Sequence, residues 1–208
     1  MLDVCLPSPT YRNRKGGRPT GAKLALKPVH VWGIHIRLQV ANRARDLALF
    51  DLALDSKLRG CDLVALRLSD LLSASGVKSR VMILQRKTGR PVQFEVTEQT
   101  RRSLAAWIEA KGLGLDDWLF PSRSKKGAHL STRQYARLVD RWVALVGLDP
   151  SAYGTHSLRR TKVSLLYKKT GNLRACQLLL GHTKLESTVR YLGVEVDDAL
   201  ELSESLEL

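Results

Sequence analysis

The sequence predicts a mostly helical α+β domain with one small antiparallel β-hairpin. Three observations predict it. Apolar residues recur at helical spacing over much of the 208 residues, as in Ile34, Leu38 and in Leu47, Phe50, Leu54. Two short runs of strand character, Arg80–Gln85 and Val92–Val96, are joined through Lys87-Thr88-Gly89-Arg90. Glycines at 112, 147, 171 and 181 each close an amphipathic stretch, where a helix end favours them. No internal repeat is found, and the length fits one domain.

Taken in order, residues 1–28 interleave Pro and Gly with Arg12, Arg14, Lys15, Arg18, Lys23 and Lys27, and read as a basic flexible arm. Residues 29–193 form the folded domain. Two helices span Val29 to about Asp55, divided near Asn42, and a third, short one follows Arg59. Leu66–Leu72 adds an edge strand, and the hairpin comes next. The second half is helical: Thr97–Lys111, Ser131–Val146, His156–Lys169 and Asn172–Leu180. Thr183, with Glu186 three residues on, opens a last helix through a capping box. Trp32, Trp107, Trp118 and Trp142 sit in apolar surroundings and are expected in the core. Residues 194–208 form an acidic tail.

Charge narrows the function. A formal net charge of +14 implies a polyanionic partner, of which nucleic acid is the commonest. Beyond Leu192 there are six acids and no Lys or Arg, so a basic body ends in a tail suited to facing protein. Three widely spaced cysteines, with no CxxC pair, argue against a disulfide framework or a zinc site. No apolar run is long enough to span a membrane and the N-terminus does not read as a signal peptide, so a cytoplasmic location is expected.

The C-terminal part concentrates chemistry. His156 and Arg159, three apart in THSLRR, can project from one helix face. Arginine offers a fork of donors matched to phosphate oxygens, and histidine moves a proton near neutral pH. His182 follows Gly181 in a turn between helices, and Tyr191 comes nine residues later. Each alone is weak: HxxR occurs by chance in a basic helix, His182 could be a cap, and Tyr191 could be core.

Together, Thr155-His156-Ser157-Leu158-Arg159, Leu180-Gly181-His182 and Tyr191 resemble the C-terminal signature of the tyrosine recombinase (phage integrase) family. Two further landmarks of that family have counterparts here. Leu58-Arg59-Gly60-Cys61-Asp62-Leu63 is similar to its first arginine motif, with Asp62 where Glu is commoner, and Lys87 stands in the hairpin turn. The match runs from about Ala41 to Gly193.

The resemblance implies the family's mostly helical catalytic domain, with its small antiparallel sheet, and a site-specific recombinase that acts through a covalent 3′-phosphotyrosine. Tyr191 is the expected nucleophile, and its phenol, with a free pKa of ~10, must lose a proton as it attacks. His156 is the candidate to take it. Arg59 and Arg159 neutralise the charge of the transition state, and His182 adds a hydrogen bond. Lys87 protonates the leaving 5′-oxygen. Arg86, Arg90, Arg160 and Lys162 are expected on phosphates. Two arginines do what a metal ion might otherwise do, and the phosphotyrosine retains the bond energy, so no metal or other cofactor is expected.

The family further implies action at the bacterial nucleoid, with two protomers per site and a tetramer on DNA. With about forty residues before the match, the chain is similar in size to catalytic-domain-only members such as the fimbrial switch invertases. The basic arm or an accessory DNA-binding protein would then compensate for a missing clamp domain. Two other readings stay open: a non-catalytic accessory or regulatory DNA-binding protein on the same fold, and a type IB topoisomerase-like enzyme that swivels one strand.

Overall fold

The computed structural model describes residues 23–193 and Glu204. The expected arm and tail, residues 1–22 and 194–208, otherwise lie outside the described residues. Helix α1 (Pro28–Val40) begins at a proline, whose missing N–H costs nothing at a first helical turn. It buries Ile34 and Leu38, one turn apart. Asn42, in left-handed backbone (φ 51°), separates it from α2 (Ala44–Ser56), which is buried along most of its length. Helix α3 (Gly60–Val64) follows an extended Arg59.

Leu66–Leu72 departs from the expected strand. Leu68–Leu71 is a short helix, α4, with Leu68 and Leu71 buried at helical spacing and Asp70 accepting from the Arg67 backbone N–H at 2.8 Å. Ahead of it Arg67 makes a single antiparallel bridge with Trp118, and at its end β1 (Leu72–Ser73) and β2 (Gly76–Val77) form a small antiparallel hairpin. The larger hairpin is as expected: β3 (Arg80–Leu84) pairs antiparallel with β4 (Pro91–Glu95), Arg80 opposite Glu95 and Ile83 opposite Val92.

Thr97 caps α5 (Glu98–Lys111) and Ser131 caps α6 (Thr132–Leu145), each side chain accepting an otherwise unpaired backbone N–H. A 3-10 turn (Pro150–Ala152) leads into α7 (Thr155–Thr170). Asn172 caps α8 (Leu173–Leu180), and α9 (Leu185–Leu192) closes the domain. The capping box expected at Thr183 is absent: α9 starts two residues later, behind Lys184, which makes no side-chain cap.

One continuous core runs from Leu26, ahead of α1, to Leu158 on α7 and includes the inward residues of the hairpin, Val81 and Phe94. Trp142 lies at its centre, edge-on to Phe50 at 5.6 Å. The other tryptophans depart from the expected core: Trp107 packs against it half-buried, Trp118 lies half-buried beneath the Arg67 guanidinium outside it, and Trp32 is 67% exposed. A second cluster of Val163, Cys176 and Leu180 joins α7 to α8 and α9.

The arm boundary also shifts. Lys23–Lys27 lies against the body: Leu26 is buried, its N–H donates to Thr161 Oγ1 at 2.9 Å, and Leu24 N–H donates to Ala152 O at 3.1 Å. Leu26 is the apolar anchor of that basic stretch, while Leu24 stays exposed and is held by its backbone bond.

Candidate active site

Four elements bring five of the six expected residues together. Arg59 leaves the end of α2 through Lys57, itself in left-handed backbone (φ 53°) and buried. Lys57 Nζ donates to both Glu95 carboxylate oxygens at 2.9 Å, and Lys162 Nζ reaches Asp55 Oδ1 at 2.6 Å and Glu95 Oε1 at 2.7 Å. Burial alone would raise the Glu95 pKa, but the Lys162 and Lys57 bonds outweigh it and hold the carboxyl below its usual range. This cluster joins the chain just before Arg59 to α7 just after Arg159, so it fixes both arginine-bearing elements. It also corrects one expectation: the Lys162 ammonium is neutralised by two protein carboxylates and is not free for a DNA phosphate.

Arg159 is 3% exposed on α7. Its Nη2 donates to Leu180 O at 2.7 Å, while its Nη1 is buried with no hydrogen-bond partner among the described residues. A buried guanidinium with a vacant donor is costly unless something anionic arrives to take it. Arg59 Nη1 donates to Gln85 Oε1 at the end of the hairpin strand.

His156 stands on the first turn of α7. Packing around its ring, then the guanidiniums of Arg159, Arg160 and Arg59, push its pKa below 6.5. His182 is held down further, to about 4, by burial and then by Arg159 and Arg59. Its Nδ1 lies 3.1 Å from the buried Thr188 Oγ1. Both imidazoles are therefore neutral near pH 7, one able to accept a proton and the other able to hydrogen-bond.

Tyr191 docks on this group. Its Oη donates to His156 O at 3.3 Å, and its ring lies edge-on to His182 at 5.5 Å. The Arg160 guanidinium sits 5.0 Å from the ring centroid and that of Arg159 6.0 Å. Burial raises the phenol pKa, and the neighbouring arginines only partly offset it. The resting phenol is protonated, so attack needs a base.

Lys87 is the member not brought into this group. It is exposed in the hairpin turn, and among the described residues the side chains of Arg86, Lys87 and Arg90 have no hydrogen bond or ion pair. Asp62 is buried and its Oδ1 accepts the Arg86 backbone N–H at 2.9 Å, tying the start of that turn to α3. Arg160 differs from its expected role: Nη1 donates to Lys23 O at 2.8 Å while the guanidinium covers Tyr191.

Two residues were missed. Thr188 orients His182, and Gln85 bonds Arg59. Gln85 had a readable signal: directly after β3 it continues the inward alternation of Val81 and Ile83, where a polar side chain needs a buried partner. No helix among the described residues is long and apolar enough to cross a membrane.

The profile described as the phage integrase family matches residues 34–197. Tyrosine recombinase XerD of Rhizobium meliloti is 32% identical over 157 residues, covering 74% of this chain and 49% of its own length. Tyrosine recombinase XerC of Chromobacterium violaceum is 29% identical over 153 residues, with 73% and 49% covered. The chain thus spans about half the length of these relatives. The probable integrase/recombinase YoeC of Bacillus subtilis is 27% identical over 154 residues, covering 74% of this chain and 80% of that protein. Among solved structures, the fold is similar to XerA recombinase, with a TM-score of 0.72 at 17% identity over 90% of this chain and 66% of that one. It is also similar to XerH site-specific recombinase bound to palindromic difH substrate in a post-cleavage complex, with a TM-score of 0.69 at 22% identity, over 88% and 53% of the two chains.

Proposed function

Because this chain belongs to the phage integrase family, we propose that it breaks and rejoins double-stranded DNA at a specific site, through a covalent bond between Tyr191 and a 3′-phosphate. The observation that carries the reading is the buried, unpartnered Arg159 Nη1 beside the docked Tyr191 phenol. A scissile phosphate at that donor would meet Arg59 and Arg159 on its non-bridging oxygens. Thr188 donating to His182 Nδ1 would leave the ring proton on Nε2, free to bond the same phosphate.

The step balances without a redox partner. Tyr191 Oη passes its proton to the neutral His156 ring and forms the new O–P bond. The bond from phosphorus to the 5′-oxygen breaks, and that oxygen takes a proton from Lys87 Nζ. For this the hairpin turn must bring Lys87 onto the DNA. A 5′-hydroxyl from another duplex then reverses the sequence and releases Tyr191. Arg86 and Arg90, unpaired among the described residues, are the proposed phosphate contacts flanking Lys87. Two protomers per site, a tetramer on DNA, an accessory DNA-binding protein and an association with the nucleoid belong to the same reading. One of the structural neighbours is a lambda integrase dimer bound to a COC′ core site.

The test is covalent capture. A pool of nicked duplexes with randomised cores is incubated with the protein, and adducts surviving denaturant are sequenced. Wild type is expected to retain a defined set of duplexes and Tyr191→Phe none. Adducts that persist in Tyr191→Phe would overturn the nucleophile assignment. Relaxation of supercoiled plasmid with no sequence preference would favour strand swivelling over recombination.

A further inference from the structure

Apart from the residues given chemical roles above, the polar contacts of the site converge on Gln85. It is 1% exposed. Its Oε1 accepts from Arg59 Nη1 and, at 2.9 Å, from Thr88 Oγ1. Its Nε2 makes a long bond, 3.5 Å, to Leu180 O, the carbonyl that also accepts from Arg159 Nη2. The orientation of the amide follows from its partners. Arg59 can only donate and Leu180 O can only accept, so the oxygen faces the arginine and the nitrogen faces the carbonyl.

The backbone of Gln85 closes the hairpin turn as well. Its N–H donates to Arg90 O at 2.9 Å, and its carbonyl accepts from Gly89 N–H at 2.8 Å. One residue therefore touches Arg59, the carbonyl bonded by Arg159, and both ends of the turn that carries Lys87. The packing around it is independent support. A Cβ on Gly181 would fall 2.9 Å from Gln85 Nε2 and 2.6 Å from Val92 Cγ2, so the turn that presents His182 reaches the amide only because residue 181 is glycine.

We propose that Gln85 is a positioning residue of the strand-cleavage site, which holds Arg59 toward the scissile phosphate without neutralising it and locks the Lys87 turn to the same arginine. The proposal rests on the strand-cleavage reading. A neutral amide suits the task because it both accepts and donates. A carboxylate in its place would pair with Arg59 and compete with the phosphate, and an apolar side chain would leave the guanidinium untethered.

The test compares wild type, Gln85→Glu and Gln85→Met on a captured duplex, at saturating DNA, with the scissile linkage either a phosphodiester or a methylphosphonate. The methylphosphonate carries no charge and so needs less from Arg59. On the phosphodiester, Gln85→Glu is expected to lose about 100-fold in the rate of adduct formation and Gln85→Met about 10-fold, with DNA affinity held within about 3-fold. On the methylphosphonate the gap between Gln85→Glu and wild type should shrink. Rates for both variants near wild type on the phosphodiester would overturn the proposal. So would equal losses on both linkages, which would mean that Gln85 serves the fold alone.

Should wild type capture no duplex at all, the strand-cleavage reading fails, and the placement of Gln85 is judged separately by titrating inorganic phosphate with 31P NMR detection. Weaker binding to Gln85→Glu than to wild type is expected. Equal binding would remove Gln85 from the anion site.

Discussion

The two arginines and Tyr191, the proposed nucleophile, are held by very different amounts of protein. Arg59 leaves the large core, between the buried Leu58 and Leu63, and Arg159 follows Leu158, the last member of that core along the chain. The Lys57–Glu95–Lys162–Asp55 cluster, with Lys57 and Asp55 buried and Glu95 and Lys162 half-buried, braces both. Tyr191 instead belongs to a cluster whose fully buried members are Val163, Cys176 and Leu180. Of the residues of α9, Thr188 alone is buried, and no side chain caps the helix at its start. Regions with few buried apolar contacts open at lower free energy than the body they are attached to. The difference teaches that the two arginines are part of the large fold, whereas Tyr191, the proposed nucleophile, is docked on it through fewer buried contacts.

The strongest way to break this comparison is to damage the large core and ask whether the whole body depends on it. Phe50 is fully buried against Trp142, and Phe50→Ala should cost about 4 kcal/mol of global stability, from lost transfer energy and the cavity left behind. Tryptophan fluorescence during urea denaturation is the readout. Trp32, Trp107, Trp118 and Trp142 all precede α7 in the chain, so they report on the body and not on α9. A loss below about 1 kcal/mol would mean that this core is not the cooperative unit.

How legible was each region before the structure? The periodic elements were: α1, α2, α5 to α8 and the main hairpin fall within a residue or two of their expected bounds, because burial and end-capping act locally there. Leu66–Leu72 was misread because Leu66, Leu68 and Leu72 alternate like a strand, while Leu68 and Leu71 fit a helical turn equally well, and a run so short is decided by its neighbours. The motifs that hold the six candidate residues were readable too, and five of the six come together in the fold. The fate of a given charge was not. Lys162 meets Asp55 across 107 residues of chain, and nothing near Lys162 in the sequence signals that its ammonium is taken. Gln85 was passed over for a related reason, since its partners lie 26 and 95 residues away.

A smaller effect sharpens the comparison from the other side. Leu180 is fully buried in the small cluster and its carbonyl holds Arg159 Nη2. Leu180→Ala keeps that carbonyl and removes the packing. Amide hydrogen exchange in α8 and α9 should become easier by about 2 kcal/mol, with the fluorescence-detected transition of the body moving less. If exchange throughout the molecule accelerates equally, the two regions are one cooperative unit and the nucleophile is no more separable than the arginines.

The smallest expected effect is the pH dependence of that docking. Burial, then Arg159 and Arg59, hold His182 at about 4, below the 6.5 of a free imidazole. An undocked α9 would release His182 from those neighbours and let it bind a proton more readily. Because the docked form has the lower pKa, docking is fully supported above about pH 6.5 and is lost progressively as pH falls toward 4. His156, depressed in the same direction, adds to the trend and also stops acting as a base once protonated. Exchange in α9 should therefore speed up between neutral pH and about pH 5, after correction for the intrinsic chemistry of exchange, while the β3–β4 hairpin keeps its protection. His182→Gln cannot take up the proton and should flatten the α9 response. An unchanged slope in that variant would assign the acid sensitivity to His156 or to the carboxylates of the body, and the nucleophile helix would then lose its own proton-linked latch.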